Sequence, residues 1–570
     1  MKRNLLIILV IAFMMIAFKS TIITFDFDKV VYETMDSSQK LLSFKKETIE
    51  DISKDKVVVR AEVKLVDSYG KFVNDLNSAI FEKKNKNYKI QEIKSIRQSN
   101  NEFLKTYHQQ ANQSVDKKIS ITGYEEKYVC KYSPFIEYTY NRLYFLNHQN
   151  AILKEISALN DIKKVYVLDY NLSNYDPQLI NATNYVGIND IYTSRNFTGD
   201  GITVGILETG NPDMGKSALV NTDCEIYKAS EYGTSYCTLH ASLMTEIIAG
   251  SNGIAPDVSI KSAALVGTLV DEIDWMVAKG VDIINMSYGE ANPQGIYDST
   301  SAYIDYISYT YGIVMVAAVG NCLDDNPNIT NPALGYNVIS VGATNASNSD
   351  ILSNSSYQVA NNQQPLKPTV VIKGQNVITS EAVISGTSAS AAITTGSIAI
   401  LLERFPSFIS KPERVIALLT ANATPFAQSM YSGSHDMPLI TKVGAGRLYL
   451  KAAFDNIYNT ISFNNSTGVT DSDVYSVDLN VSAGQTIRVS TAWLAKTIGS
   501  TSQVTKGNYD IFLKTSDLEI LAYSDSSRSV VELLSYTFTE DTTCKIVVRQ
   551  CDDRVGSVDR ICIAYQITNP

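Results

Sequence analysis

The sequence predicts an α/β protein, a doubly wound parallel sheet with an α+β unit before it and a β-sandwich after it. Three observations carry that reading. Strand-like runs at 202–207, 281–285 and 313–318 alternate with stretches of helical periodicity, the pattern of a parallel sheet covered by helices on both faces. From about 28 to 172, β-rich runs and a short helical pattern are mixed without that alternation. From about 460 to 570, short strand-like runs follow one another with turn residues between them. The chain has 570 residues, 45% hydrophobic and 19% charged, an ordinary globular balance. The net charge is −10 and no Lys/Arg block stands out, so nucleic acid is excluded as an expected partner.

The elements follow in chain order. Lys2 and Arg3 precede an unbroken apolar run from Leu5 to Phe18. It is short for a membrane span and suits a secretory signal core, so 1–24 reads as a signal peptide and the protein as secreted. The alternative is an uncleaved signal anchor tethering the chain to the outer face of the membrane. In the 28–172 unit, Val57-Val58-Val59 with Val63, Tyr128-Val129 and Leu143-Tyr144-Phe145 read as strands. Ile152, Leu153, Ile156 and Leu159 mark a short helix, and Val165-Tyr166-Val167 a closing strand. The alternating region spans about 175–455 and ends on Gly444-Ala445-Gly446 and a helical stretch. In the 460–570 region, Val474, Tyr475, Val477, Leu479 and Val481 nearly alternate, and Ile511-Phe512-Leu513 and further runs follow.

Seven cysteines show no CxxC or zinc spacing. Export permits disulfides. Cys224 with Cys237, and two of Cys544, Cys551 and Cys562, are the candidate pairs; the odd count leaves at least one thiol unpaired, and all free is the open alternative.

The chemistry-bearing residues lie in the alternating region. Ser388 stands in Gly386-Thr387-Ser388-Ala389-Ser390, at the head of an apolar helical stretch. A serine at a helix N-terminus meets aligned N–H groups, a setting suited to developing negative charge; taken alone, it is an ordinary N-cap. Of the four histidines, His108, His148, His240 and His435, only His240 falls between the first strand of this region and Ser388. Imidazole is the side chain best suited to take a proton near neutral pH. Glu208 ends the apolar run Val204-Gly205-Ile206-Leu207 and precedes Thr209-Gly210, at a strand end where ligands bind in parallel sheets. Asp213 is its nearby competitor. Asn321 follows Val316-Ala317-Ala318-Val319-Gly320, where an amide can donate to an oxyanion.

The order carboxylate, His, Ser, with these blocks in register, resembles the catalytic domain of subtilisin-like serine peptidases across about 200–450. The blocks that carry the resemblance are 201–210, 240–250 with Gly253-Ile254-Ala255-Pro256, 281–289, 318–321, Asn331-Pro332-Ala333 with 338–343, and 386–390. It implies that Ser388 attacks the scissile carbonyl, that His240 is its general base, that Glu208 is the orienting acid and that Asn321 steadies the oxyanion. It implies that the backbone of Ser287-Tyr288-Gly289 pairs with an extended polypeptide substrate. By the same analogy the 28–172 unit is an inhibitory, self-cleaved propeptide, and the last domain a β-sandwich appendage. No cofactor is expected for the chemistry; structural calcium is common in the family, and no ligand loop here is diagnostic.

Two departures stand out. The family normally has Asp at Glu208 and Gly-Thr at Ala241-Ser242. The extra methylene carries the carboxyl about 1.5 Å further, so either the site is adapted to glutamate or turnover suffers. The competing readings are a catalytically dead member acting as a binding or regulatory module, and a surface adhesin working through the C-terminal sandwich.

Overall fold

The computed structural model describes residues 30–34, 56–65, 73, 90–170, 197–228, 236–265, 269–290, 292, 294–322, 327–358, 364–426, 442–466, 471–497, 504–552 and 559–569. The apolar run at 5–18 and its expected cleavage site lie outside these residues. Among the described residues no helix is long and apolar enough to cross a membrane. The chain divides into two compact units, residues 1–75 with 102–173, and residues 76–101 with 174–570.

The first unit is a five-stranded sheet with helices. Its elements are β1 (Val30–Thr34), β2 (Lys56–Val63), α1 (Ile90–Asp116, of which 102–116 belong here), β3 (Glu126–Val129), β4 (Phe135–Asn141), α2 (Arg142–Ser157) and β5 (Ile162–Tyr170). The strand order is β1-β5-β2-β4-β3, with only β1 and β5 parallel. Val57, Val59 and Ala61 share one face of β2, as period-two alternation requires, and pack with Ile136, Tyr138, Tyr140 and Val165. The expected strand at Leu143-Tyr144-Phe145 is instead the start of α2. The Asn141 side chain accepts from the Tyr144 N–H at 3.2 Å, an N-cap that turns the chain helical. Phe145, Ile152 and Ile156 then fall on one helical face against the sheet.

The second unit is built on a seven-stranded parallel sheet. Its elements are β6 (Thr203–Glu208), β7 (Cys224–Ile226), α3 (Leu239–Ala249), β8 (Ser259–Ala264), α4 (Leu269–Ala278), β9 (Ile283–Met286), α5 (Ser299–Tyr311), β10 (Val314–Ala318), β11 (Val338–Thr344), β12 (Val370–Lys373), the small hairpin β13 (Val377–Ile378) and β14 (Val383–Ile384), α6 (Thr387–Arg404), α7 (Pro412–Ala421) and α8 (Leu450–Asp455). The strand order is β12-β11-β10-β9-β6-β8-β7, every pairing parallel. All carboxyl ends therefore lie along one edge, and β9 sits in the middle. The inner strands are buried throughout, which is why they read as continuous apolar runs.

The remaining strands are β15 (Thr460–Asn465), β16 (Ser472–Val481), β17 (Thr486–Ala492), β18 (Tyr509–Thr515), β19 (Ile520–Ser524), β20 (Val531–Thr537), β21 (Thr542–Gln550) and β22 (Asp559–Thr568). They form two antiparallel four-stranded sheets, β15-β22-β17-β20 and β16-β21-β18-β19. Both faces of β17 are buried. Ile487 and Val489 lie on one face; Arg488 and Ser490, on the other, bond Thr420 of α7 at 3.4 and 2.7 Å. The Asn337 side chain bonds the Ala495 backbone in both directions, at 2.9 and 2.8 Å, so one amide imitates a strand pairing.

The candidate Cys224–Cys237 bridge is not formed, and Cys544, Cys551 and Cys562 also carry free thiols, as the open alternative had it. Register explains the first pair. Cys224 lies level with Ile260 and Val204, at the start of β6, whereas Cys237 is bridged to Asn211, beyond its end. At roughly 3.3 Å per residue, that separation exceeds the limit of about 7 Å between Cα atoms for a disulfide.

The second unit also includes the first turns of α1. Asp282, buried just ahead of β9, meets Lys94 Nζ at 2.7 Å and Arg97 at 2.8 Å, and accepts from the Thr203 N–H at 2.9 Å. Arg97 is itself buried and also bonds the Gly280 carbonyl at 2.5 Å. Removing one member of such a cluster strands a buried charge. Asp282→Ala is expected to lower stability by about 3–5 kcal/mol, and Arg97→Met added to it to recover part of the loss; urea denaturation midpoints of the three proteins check this.

Candidate active site

The site is assembled where β6, β9 and β10 end. Glu208 is the last residue of β6 and is fully buried. The turn that follows is drawn onto the segment entering α3: Asn211 N–H donates to Tyr236 O at 2.8 Å, and Thr238 N–H donates to Asn211 O at 3.0 Å. Gly210 permits the approach, since a Cβ there would stand 2.3 Å from Thr238 Cγ2. Thr238 caps α3, its hydroxyl accepting from Ala241 N–H at 3.2 Å. His240 is thereby set in the first turn of the helix, and its Nδ1 lies 3.1 Å from Glu208 Oε2.

A carboxylate can only accept, so Nδ1 carries the proton and Nε2 is left as the basic nitrogen. Burial alone would push the His240 pKa down; the charge and hydrogen bond of Glu208 outweigh it, and the net shift is upward from 6.5. Asp213 points elsewhere: its carboxylate accepts from Gly215 N–H at 3.0 Å. Ser242, one of the two departures from the family pattern at this helix, donates to Thr238 O at 2.9 Å and accepts from Asp213 N–H at 2.9 Å. It ties the acid's turn to the histidine helix.

Ser388 is the second residue of α6 and is buried. Its hydroxyl donates to Ser287 O at 2.9 Å, while Ser287 Oγ donates to Ser388 O at 3.0 Å. Among the described residues, Ser388 makes no hydrogen bond to His240; in an unliganded site such bonds are often unmade. Helices α3 and α6 pack against each other.

Asn321 follows β10 after Gly320, whose φ of 102° is open to glycine. Its Oδ1 accepts from Thr387 N–H at 3.0 Å and from the Thr387 hydroxyl at 3.1 Å, and that hydroxyl accepts from Gly320 N–H at 3.2 Å. With the oxygen so engaged, Nδ2 is the atom presented, above Gly386. Ser287, Tyr288 and Gly289 continue past the pairing of β9, which ends at Met286 on both sides.

His108 lies in the first unit, where burial pushes it down to about 3 and keeps it neutral. His148 is exposed and stacked on Tyr144, and His435 lies outside the described residues. Among the described residues no group of three or more His, Cys, Asp or Glu side chains is placed to hold a metal ion. Sequence reasoning missed Thr238, although a threonine before an apolar helical run is an N-cap signal. It also missed the amide-holding role of Thr387.

Comparison with known proteins finds relatives of the region that carries these residues. A family model described as the subtilase family, Peptidase_S8, matches residues 199–507. Subtilisin DY of Bacillus licheniformis is 28% identical over 265 residues, covering 43% of this chain and 91% of that one. Serine protease AprX of Bacillus subtilis (strain 168) is 24% identical over 278 residues, covering 40% of this chain and 62% of that one. Among solved structures, the prenylagaramide maturation protease PagA is 22% identical, with 47% of this chain and 97% of that one covered and a TM-score of 0.39.

The electrostatics predict a pH profile. A base must be neutral to take a proton, and Glu208 keeps His240 protonated to a higher pH than an ordinary imidazole. Hydrolysis should therefore fail as pH drops through a value above 6.5. Glu208→Gln removes the raising charge, so the acid limb should move to lower pH while turnover falls on the order of 10⁴-fold through the wrong tautomer. Asp213→Asn should leave both unchanged. Initial-rate pH profiles of the three proteins on one peptide decide it; a dead Asp213→Asn beside an active Glu208→Gln would reverse the assignment.

Proposed function

From the premise that the chain belongs to the subtilase family, whose members are serine peptidases, we propose a secreted serine endopeptidase made as a self-processing zymogen. The observation that carries the catalytic part is the 3.1 Å contact of Glu208 with His240 Nδ1, at the same edge of the sheet as Ser388 and Asn321. In this reading, a peptide lies extended along Ser287–Gly289. Ser388 Oγ turns from the Ser287 carbonyl and attacks the scissile carbonyl as His240 Nε2 takes its proton. Asn321 Nδ2 and the N-terminus of α6 donate to the oxyanion. His240 then protonates the leaving amine, and water hydrolyses the acyl-enzyme by the same steps. Glu208 holds the tautomer and stabilises the imidazolium. No metal or cofactor enters these steps.

A second reading, a catalytically dead binding or regulatory module, draws on one observation: the Ser388 hydroxyl is bonded to Ser287 rather than to His240.

One observation supports the processing part. Thr198 and Gly199 N–H groups both donate to Glu403, at 2.8 and 2.7 Å, and the Phe197 ring lies against Phe454 and Arg404. The expected cut lies between about Tyr170 and Asp200, a span whose residues 171–196 are outside the described residues; the hold on 197–199 supports a cut before them.

Two outcomes are expected. A fluorophosphonate should label the wild-type protein at Ser388 and leave folded Ser388→Ala unlabelled; an unlabelled wild type would favour the dead module. Intact-mass analysis should find wild-type protein shortened to a start between about Tyr170 and Asp200, and Ser388→Ala unprocessed. Equal trimming of both would mean that another protease makes the cut.

A further inference from the structure

A fully buried amide stands in the middle of the sheet. Asn285 lies on β9, paired to Val316 of β10 on one side and Ile206 of β6 on the other, with its side chain excluded from water. Its neighbours on the strand are Ile283, Ile284 and Met286. An apolar residue would fill such a position without the desolvation cost of an amide, so the amide has to be explained by what it bonds.

Both ends of the amide are used. Thr395 Oγ1 donates to Asn285 Oδ1 at 2.9 Å, and Asn285 Nδ2 donates to Ser287 Oγ at 2.8 Å. Ser287 Oγ passes the chain on to Ser388 O at 3.0 Å, and Ser388 Oγ returns to Ser287 O at 2.9 Å. Asn285 and Ser287 are two residues apart in extended chain and share a face. Thr395 and Ser388 are seven apart on α6, two turns, and also share a face. The strand thus grips the helix at two points, one beside the nucleophile and one two turns along. Within a helix already packed against α3 and the sheet, the two points add a specific rotational and lengthwise register between α6 and β9.

We propose that Asn285 is a positioning residue. It sets the register between the segment that receives the substrate backbone and the helix that carries Ser388. It touches neither substrate nor reacting atoms and acts through Ser287 and Thr395. The inference rests on the peptidase reading above and goes beyond it, because none of the residues assigned there includes Asn285 or Thr395.

Register errors act on attack geometry more than on substrate affinity, so the expected signature is a loss in kcat with KM nearly constant. Asn285→Asp keeps the acceptor for Thr395 and loses the donor to Ser287. Thr395→Val is nearly isosteric and loses only the hydroxyl; Thr395→Ser keeps it. Turnover of a fluorogenic peptide, the rate of fluorophosphonate labelling and the melting temperature are measured for wild type and all three. Asn285→Asp and Thr395→Val should lose about 10–100-fold in kcat and in labelling rate, the range expected for displacements up to an ångström, with KM within about threefold of wild type. Thr395→Ser should recover most of that loss. If Asn285→Asp does not fold, Thr395→Val against Thr395→Ser decides alone. Wild-type kcat and labelling in the folded variants, whatever their melting temperatures, would overturn the proposal and leave the peptidase reading standing. So would a rise in KM at constant kcat. A wild type that neither labels nor turns over would remove the peptidase reading and this inference together.

Discussion

The hydrogen bond between Glu208 and His240 joins the end of a buried strand to the first turn of a helix. Around it the chain is stitched tightly. The Asn211 backbone bonds both Tyr236 and Thr238, Gly210 leaves out the Cβ that would hold the segments apart, and Ser242 bonds the turn on one side and the N-cap residue on the other. The carboxylate is thus presented to the imidazole by a rigid frame, and the charge it places there raises the His240 pKa against the effect of burial. Ser388 and Asn321 are hung from the same edge by separate means, the reciprocal Ser287–Ser388 pair and the Thr387–Asn321 bonds.

The two departures from the expected pattern lie side by side in one stretch of the structure. A glutamate reaches further than an aspartate, and the residue after Ala241 supplies a hydroxyl that bonds both Asp213 N–H and Thr238 O. The longer acid nonetheless meets Nδ1 at ordinary hydrogen-bond distance.

Much of this was legible in the sequence because the signals are local. Buried parallel strands announce themselves as apolar runs, and 202–207, 281–285 and 313–318 each mark a strand to within two residues at either end. The choice of Glu208 over Asp213 followed from its place at a strand end. What was not legible depends on partners distant in sequence. Leu143-Tyr144-Phe145 carries strand-forming residues, and only the cap at Asn141 and the sheet beneath make it helical. The separation of Cys224 from Cys237 is a matter of sheet register, invisible in their short spacing. Asn285 reads as one polar residue in an apolar strand until Thr395, more than a hundred positions later, is placed above it.

The packing of α7 carries a consequence for how the molecule is made. This helix, just downstream of the Ser388 helix, is covered by β17 and β22, and β22 lies between β15 and β17 in its own sheet. A ribosome delivers these elements in order, so α7 emerges well before the strand that covers it. At roughly 5–20 residues per second, the gap from α7 to β22 amounts to a delay on the order of ten seconds. In the finished fold the bonds from Arg488 and Ser490 to Thr420 lie beneath that last strand's sheet, so the covering of α7 is complete only once the whole chain exists. Every strand of the parallel sheet is synthesised before the strand that closes its outer wall.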